Sequence, residues 1–150
     1  SPARPRRMPS GLTRTSVVSR AMRPPSLVGR AWKSARHVLE RRGFELRGAR
    51  LLKIPRSLAQ QHYAEHKGKP FFGDLVTFIT SGPVLAVAVR GESAISVVRT
   101  MMGATNPLDS APGTIRGDLA LELSENIVHG SDSKASARRE LALFFPDGLV

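Results

Sequence analysis

The chemistry open to this 150-residue chain starts with four histidines, His37, His62, His66 and His129, because it has no cysteine. His129 stands in Asn126-Ile127-Val128-His129-Gly130-Ser131-Asp132. A short strand ending there, with a turn at Gly130, would hold the ring on a fixed element with its edge toward solvent. An imidazole with a pKa near 6.5 is mostly neutral at pH 7, so it can attack an electrophile without a separate base. His62 and His66, in His62-Tyr63-Ala64-Glu65-His66, fit the H-x-x-E-H spacing of inverted zinc proteases. That chemistry needs a third ligand downstream, and two polar residues on one helix face is the simpler reading. His37 lies in a basic stretch and reads as a surface residue.

An electrophilic phosphoryl group would need cations and hydroxyl or N–H donors. Arg99, Arg116 and Thr105 could supply them, since two guanidinium groups can grip phosphate oxygens bidentately and neutralise developing charge. Taken singly, each arginine reads better as a surface ion pair. Phe71 and Leu123 could sandwich a planar base, although Phe71, next to Phe72, also suits a core. The chain contains neither a Walker A loop nor G-x-G-x-x-G, so nucleotide binding through those devices is excluded.

The elements that must position these residues follow from periodicity and punctuation. Residues 44–54 alternate and stop at Pro55, a strand. Residues 56–66 and 71–80 read as helices separated by Lys67-Gly68-Lys69-Pro70. Residues 83–89, PVLAVAV, form an unbroken apolar run of strand length, buried on both faces. In 92–103, Ile95, Val98 and Met102 share a helix face that ends at Gly103. Residues 105–125 read as a long loop with one strand-like piece, LALEL, and loops of that length are usually functional. ENIVH is a short strand, and Ser131 or Ser133 caps a last helix over 134–145. Upstream, Leu12 to Val18 is a strand candidate, and Ala31, Ala35, Val38 and Leu39 mark an amphipathic helix over 31–42. Strands alternating with helices in so short a chain indicate an α+β sandwich, a sheet with helices on one face.

Of the formal +11 charge, +10 lies in residues 1–44, which hold 11 Lys/Arg and one acid, Glu40. Residues 45–150 are nearly balanced, with 12 basic and 11 acidic side chains. Residues 1–30 lack acids and carry five prolines. They divide from 31–150 as a basic, divergent or disordered segment ahead of the folded body. No apolar run is long enough to cross a bilayer.

HYAEHKGKPFF, FITSGPV, GATNP, APGTIRGD and above all NIVHGSDS followed by ARRELALFF make residues 43–145 closely resemble the nucleoside diphosphate kinase family. The resemblance implies a ferredoxin-like α/β sandwich with an antiparallel sheet, assembled as a homo-tetramer or homo-hexamer. It implies transfer of the γ-phosphate of ATP to nucleoside diphosphates by a ping-pong route, with His129 the phosphorylated nucleophile. Glu140 would orient the ring with Ser131 in support, and Tyr63 would sit beside it. Arg99, Thr105 and Arg116 match the phosphate contacts, Asn126 the sugar contact, and Phe71 and Leu123 the base clamp. Mg2+ would ride on the nucleotide phosphates and not in a protein cage.

The resemblance fails at the start of the chain. Family members carry Lys-Pro-Asp-Gly after the first strand, and ungapped counting places Arg23-Pro24-Pro25-Ser26 there. Arg23 keeps the lysine's charge as a planar fork, which is not an equivalent phosphate contact. The basic segment fits an organelle-targeting leader, a divergent segment that folds as strand and helix, or out-of-frame translation. The last accounts for a sudden rise in Arg and Pro with spacing kept. Two functions then compete: a cytoplasmic nucleoside diphosphate kinase, its activity reduced by the altered N-terminus, or a weakened relative serving as a nucleotide- or nucleic-acid-binding module through the basic arm.

Overall fold

The computed structural model describes residues 13–20, 36–120 and 128–149. In chain order the elements are β1 (Thr13–Arg20), a helix described over 36–41 (α1), β2 (Glu45–Lys53), α2 (Arg56–His62), α3 (Phe72–Thr80), β3 (Pro83–Gly91), α4 (Ala94–Met102), α5 (Ile115–Leu119), β4 (Val128–Gly130) and α6 (Lys134–Phe144). The strands form one sheet in the order β2-β3-β1-β4, with every neighbouring pair antiparallel. That order, with α1 crossing from β1 to β2 and α4 from β3 to β4, is the α+β ferredoxin-like arrangement. The strand expected at Leu12 to Val18 is β1. It lies inside the sheet, pairing Val17 with Val87 on one side and Val18 with His129 on the other.

β3 explains why helices cover both faces and not one. Its apolar run has no polar side: Val84 and Ala86 join a cluster with Ala59, Val76, Ile79 and Phe144 under α2, α3 and α6. Val87 and Val89 join Leu39, Phe44, Val98, Met102 and Val128 under α1 and α4. Alternation of side chains along the strand assigns the two sets to opposite faces. Val38, expected on the inner face of the first helix, is 48% exposed, and Leu39 alone of that pair is buried.

One helical reading and one loop reading change. α2 stops at His62, and Ala64–His66 continue as a single 3-10 turn. The stretch read as an irregular loop holds a 3-10 turn at Pro107–Asp109 and the short α5. Both are set by side-chain caps: Asn106 accepts from the Leu108 amide at 3.1 Å, and Thr114 Oγ1 from the Gly117 amide at 3.0 Å. Gly103 ends α4 at φ +95°, where a Cβ would stand 2.7 Å from Thr114 Oγ1. At α6 the choice between two caps resolves to Ser133, in a reciprocal box with Ser136. Ser131 is thereby left for another partner.

Candidate active site

Strand periodicity aims His129. Val128 points into the cluster under α4, so His129, the next residue, faces the side covered by α2 and α6. Gly130 follows because α4 lies close: a Cβ there would stand 2.6 Å from Met102 Sδ. On α6, Ala137, Glu140 and Phe144 share the buried face, and this carries a carboxylate inward. His129 Nε2 donates to Glu140 Oε1 at 2.9 Å, and Ser131 Oγ donates to Glu140 Oε2.

Burial alone would raise the Glu140 carboxyl. The hydrogen bond and charge of His129, with the Ser131 hydroxyl, outweigh burial and hold it at about 2. A carboxylate has no proton to give, so Nε2 carries the hydrogen and Nδ1 the lone pair. The His129 side chain is 35% exposed, which leaves the ring open to a ligand.

Both arginines singled out in the sequence reach the strand that carries His129. Arg99 Nη1 donates to the Gly130 carbonyl at 3.1 Å. Arg116 is 5% exposed and donates to the carbonyls of Gly103 and Ala104, each at 3.2 Å, and of Val128 at 2.6 Å. Burial, and then the charge of Arg99, lower the Arg116 guanidinium to about 10, which leaves it charged at neutral pH. Each arginine that reads singly as a surface ion pair thus directs its guanidinium to main-chain carbonyls around His129.

The other expected residues sit around this centre. Thr105 is exposed at the start of the loop, beside Ala104 and its carbonyl. Tyr63 caps the end of α2 with its ring 4.6 Å from that of His62, and burial, with the charge of Glu140, pushes its hydroxyl up to about 12. Phe71 opens α3, 45% exposed, with its ring 5.4 Å from His66 and the Lys69 ammonium 5.7 Å from its centroid. That is no core position, and the ring face is available for stacking. Arg23, Leu123 and Asn126 lie outside the described residues.

Two residues at the centre had no assigned part. His62 is buried, with its ring edge-on to His129 at 4.8 Å and to Phe144 at 5.2 Å. Burial and the nearby His129 lower its pKa to about 3, so it is neutral. The H-x-x-E-H spacing did single it out, but the helix ends before His66, which lies 3.5 Å from Lys69 Nζ. Arg139 donates to the carbonyls of Gln61 at 3.3 Å and His62 at 3.1 Å, and pairs with Glu65 at 2.8 Å. It fastens the end of α2 to α6. No local pattern announces such a contact, because the partners are far apart in the chain.

The family description "Nucleoside diphosphate kinase" matches residues 20–150. A nucleoside diphosphate kinase of Rubrobacter xylanophilus is 61% identical over 107 residues, 71% of this chain and 80% of that protein. One of Archaeoglobus fulgidus is 57% identical over 112 residues, 75% of this chain and 74% of that protein. Among solved structures, the Halobacterium salinarum nucleoside diphosphate kinase in complex with CDP aligns with a TM-score of 0.81 at 45% identity, covering 91% of this chain and 90% of that one. The Encephalitozoon cuniculi enzyme aligns at 0.80 and 32% identity, covering 89% and 88%. Among the described residues, no helix is long and apolar enough to cross a membrane. With the family model matched over residues 20–150 and the fold shared with solved members, the chain belongs to the nucleoside diphosphate kinase family and is an enzyme of nucleoside diphosphate phosphotransfer.

Proposed function

We propose that the chain works by a ping-pong route through a phosphohistidine on His129. The observation that carries this reading is the 2.9 Å hydrogen bond from His129 Nε2 to an ionised Glu140, which directs the lone pair to Nδ1. In the first half-reaction Nδ1 attacks the γ-phosphorus of ATP. The P–N bond forms as the bond to the bridging oxygen breaks, and the diphosphate leaves. In the second, a terminal oxygen of another nucleoside diphosphate attacks the same phosphorus and the P–N bond breaks. The Nε2 proton stays with the ring throughout, facing Glu140. Arg99, Arg116 and Thr105 bind phosphate oxygens, and this requires Arg116 to exchange part of its carbonyl set for phosphate. Phe71 and Leu123 hold the base by its faces, Asn126 binds the sugar, Tyr63 flanks the nucleophile, and Arg23 stands in for the lysine.

Among the described residues, the grouped metal-binding side chains are His62, His129 and Glu140. Two nitrogens and one carboxylate do not suit Mg2+, which takes oxygen ligands. Mg2+ is therefore assigned to the nucleotide phosphates, as part of the substrate. Leu108 and Leu119, strongly exposed, favour association with further copies of the chain.

Incubation with γ-labelled ATP tests the reading. Acid-labile, base-stable label on the native protein, absent from His129→Ala and discharged by added nucleoside diphosphate, is the expected result. A native chain that never takes label, or a His129→Ala variant that still does, overturns it.

A further inference from the structure

We propose that His62, His129 and Glu140 form a zinc-type metal site whose occupation switches the nucleophile off. The inhibition, though not the metal binding, rests on His129 being the phosphoryl acceptor.

One ligand atom from each residue lies within 4.8 Å of the others. His129 Nε2 and Glu140 Oε1 are already 2.9 Å apart, not far from the ~3.4 Å between two ligands of a tetrahedral zinc ion with bonds of ~2.1 Å. His62 has the farthest to move, and no hydrogen bond holds it back. It is 2% exposed, and neither ring nitrogen has a hydrogen-bond partner among the described residues. A buried polar group left unpaired is costly, and a metal ion that takes its lone pair removes that cost. Two imidazoles and a carboxylate, with a fourth place open beside the part-exposed His129 ring, make a donor set of zinc type. The Ser131 hydroxyl on the second Glu140 oxygen is the kind of bond that orients a ligating carboxylate. Arg139 acts on His62 at close range, but its charge is paired with Glu65 at 2.8 Å.

The ion takes the place of the proton between His129 and Glu140, and Nδ1 takes up a proton in exchange with solvent, so the ring binds through Nε2 as a neutral imidazole. Nε2 then donates to the metal, which draws electron density from the ring and separates it from its carboxylate. Nδ1, now carrying the ring's hydrogen, has no lone pair with which to attack phosphorus. Mg2+ on a nucleotide does not compete for these nitrogens.

The test uses the full chain freed of metal. Co2+ added without nucleotide should give the intense visible bands of a four-coordinate site at one equivalent, displaced by Zn2+. Equimolar Zn2+ should lower phosphoenzyme formation from labelled MgATP at least tenfold, with recovery on chelation. His62→Phe and His62→Gln, each checked for a cooperative thermal transition, should weaken Zn2+ binding at least tenfold, whereas His66→Ala should not. Weak six-coordinate Co2+ bands, or His62 variants that bind as tightly as the native chain, overturn the proposal. A native chain that takes no label even without Zn2+ refutes the phosphohistidine instead, and the Co2+ spectrum still decides the metal site.

Discussion

Arg116 Nη2 donates to the carbonyl oxygen of Val128 at 2.6 Å, so the guanidinium is fastened to the residue that precedes His129. Arg99 holds Gly130, the residue that follows it, at 3.1 Å. The two cations thus bracket His129 through the main chain. On the proposed route, a phosphate reaching His129 would meet charge already at the level of the ring, in a partly buried place where it counts for more than in water.

Arg116→Ala should therefore fail in two measurable ways. Turnover is expected to fall about 10²-fold or more, the scale of a lost charge-stabilising donor. The carbonyls of Gly103, Ala104 and Val128 lose a shared donor, which should cost about 2–4 kcal/mol in urea unfolding. Arg116→Lys keeps the charge but not the fork and should recover only part of either loss. Native turnover in the alanine variant would mean that this arginine serves the fold alone.

Glu140→Gln keeps the shape of the side chain and removes its charge. The amide binds the Nε2 hydrogen less strongly and frees the ring to turn, and misplacing a nucleophile by an ångström can cost about 10²-fold. Single-turnover labelling should slow by about that factor with little change in nucleotide affinity. Equal loss of affinity and rate would show that Glu140 shapes the cleft and not the nucleophile.

The parts legible in the sequence were those with a period or a marked boundary. α4 followed its apolar spacing and β3 its unbroken run, while α3 and α6 were marked by the turn and cap residues that bound them; β1 showed through Thr13, Thr15, Val17 and Val18. α5 escaped because the Thr114 cap and not a stripe of apolar residues makes it. The expected roles of His129, Glu140 and Ser131 came from the family blocks, since no spacing rule connects a strand residue to a helix residue across a turn. His62 was visible as a histidine but paired with the wrong partner: helical spacing pointed to His66, while the fold brings it to His129.

Acid should expose the burial of His62. Its pKa falls from 6.5 in the unfolded chain to about 3 in the folded one, so between these values the unfolded state holds the extra proton. Stability is then complete above pH 6.5 and declines as pH falls toward 3. His62→Phe removes this contribution and should lose less on acidification. The gap in unfolding free energy between native and variant should shift by on the order of 2–3 kcal/mol from pH 7 to pH 4, several degrees in Tm. A gap that does not move with pH would mean that the ring is wet and titrates normally.

β1 offers the last prediction, because a strand bonded on both sides cannot lose backbone donors without loss to the sheet. All eight of its residues have partners in β3, from Thr13↔Gly91 to Arg20↔Val84, and Val17, Val18 and Ser19 also pair with β4. Among the described residues β4 pairs with no other strand, so there His129 depends on β1 for its place. Removing residues 1–12 should leave the thermal transition within about 2 °C of the native chain, a change well under 1 kcal/mol. Removing residues 1–20 should abolish the transition and phosphoenzyme formation together. Val17→Pro, which cannot donate from the middle of a sheet, should cost about 3 kcal/mol or more. If the 1–20 deletion still melts cooperatively and takes label, the sheet closes without this strand and the basic segment is dispensable to the enzyme.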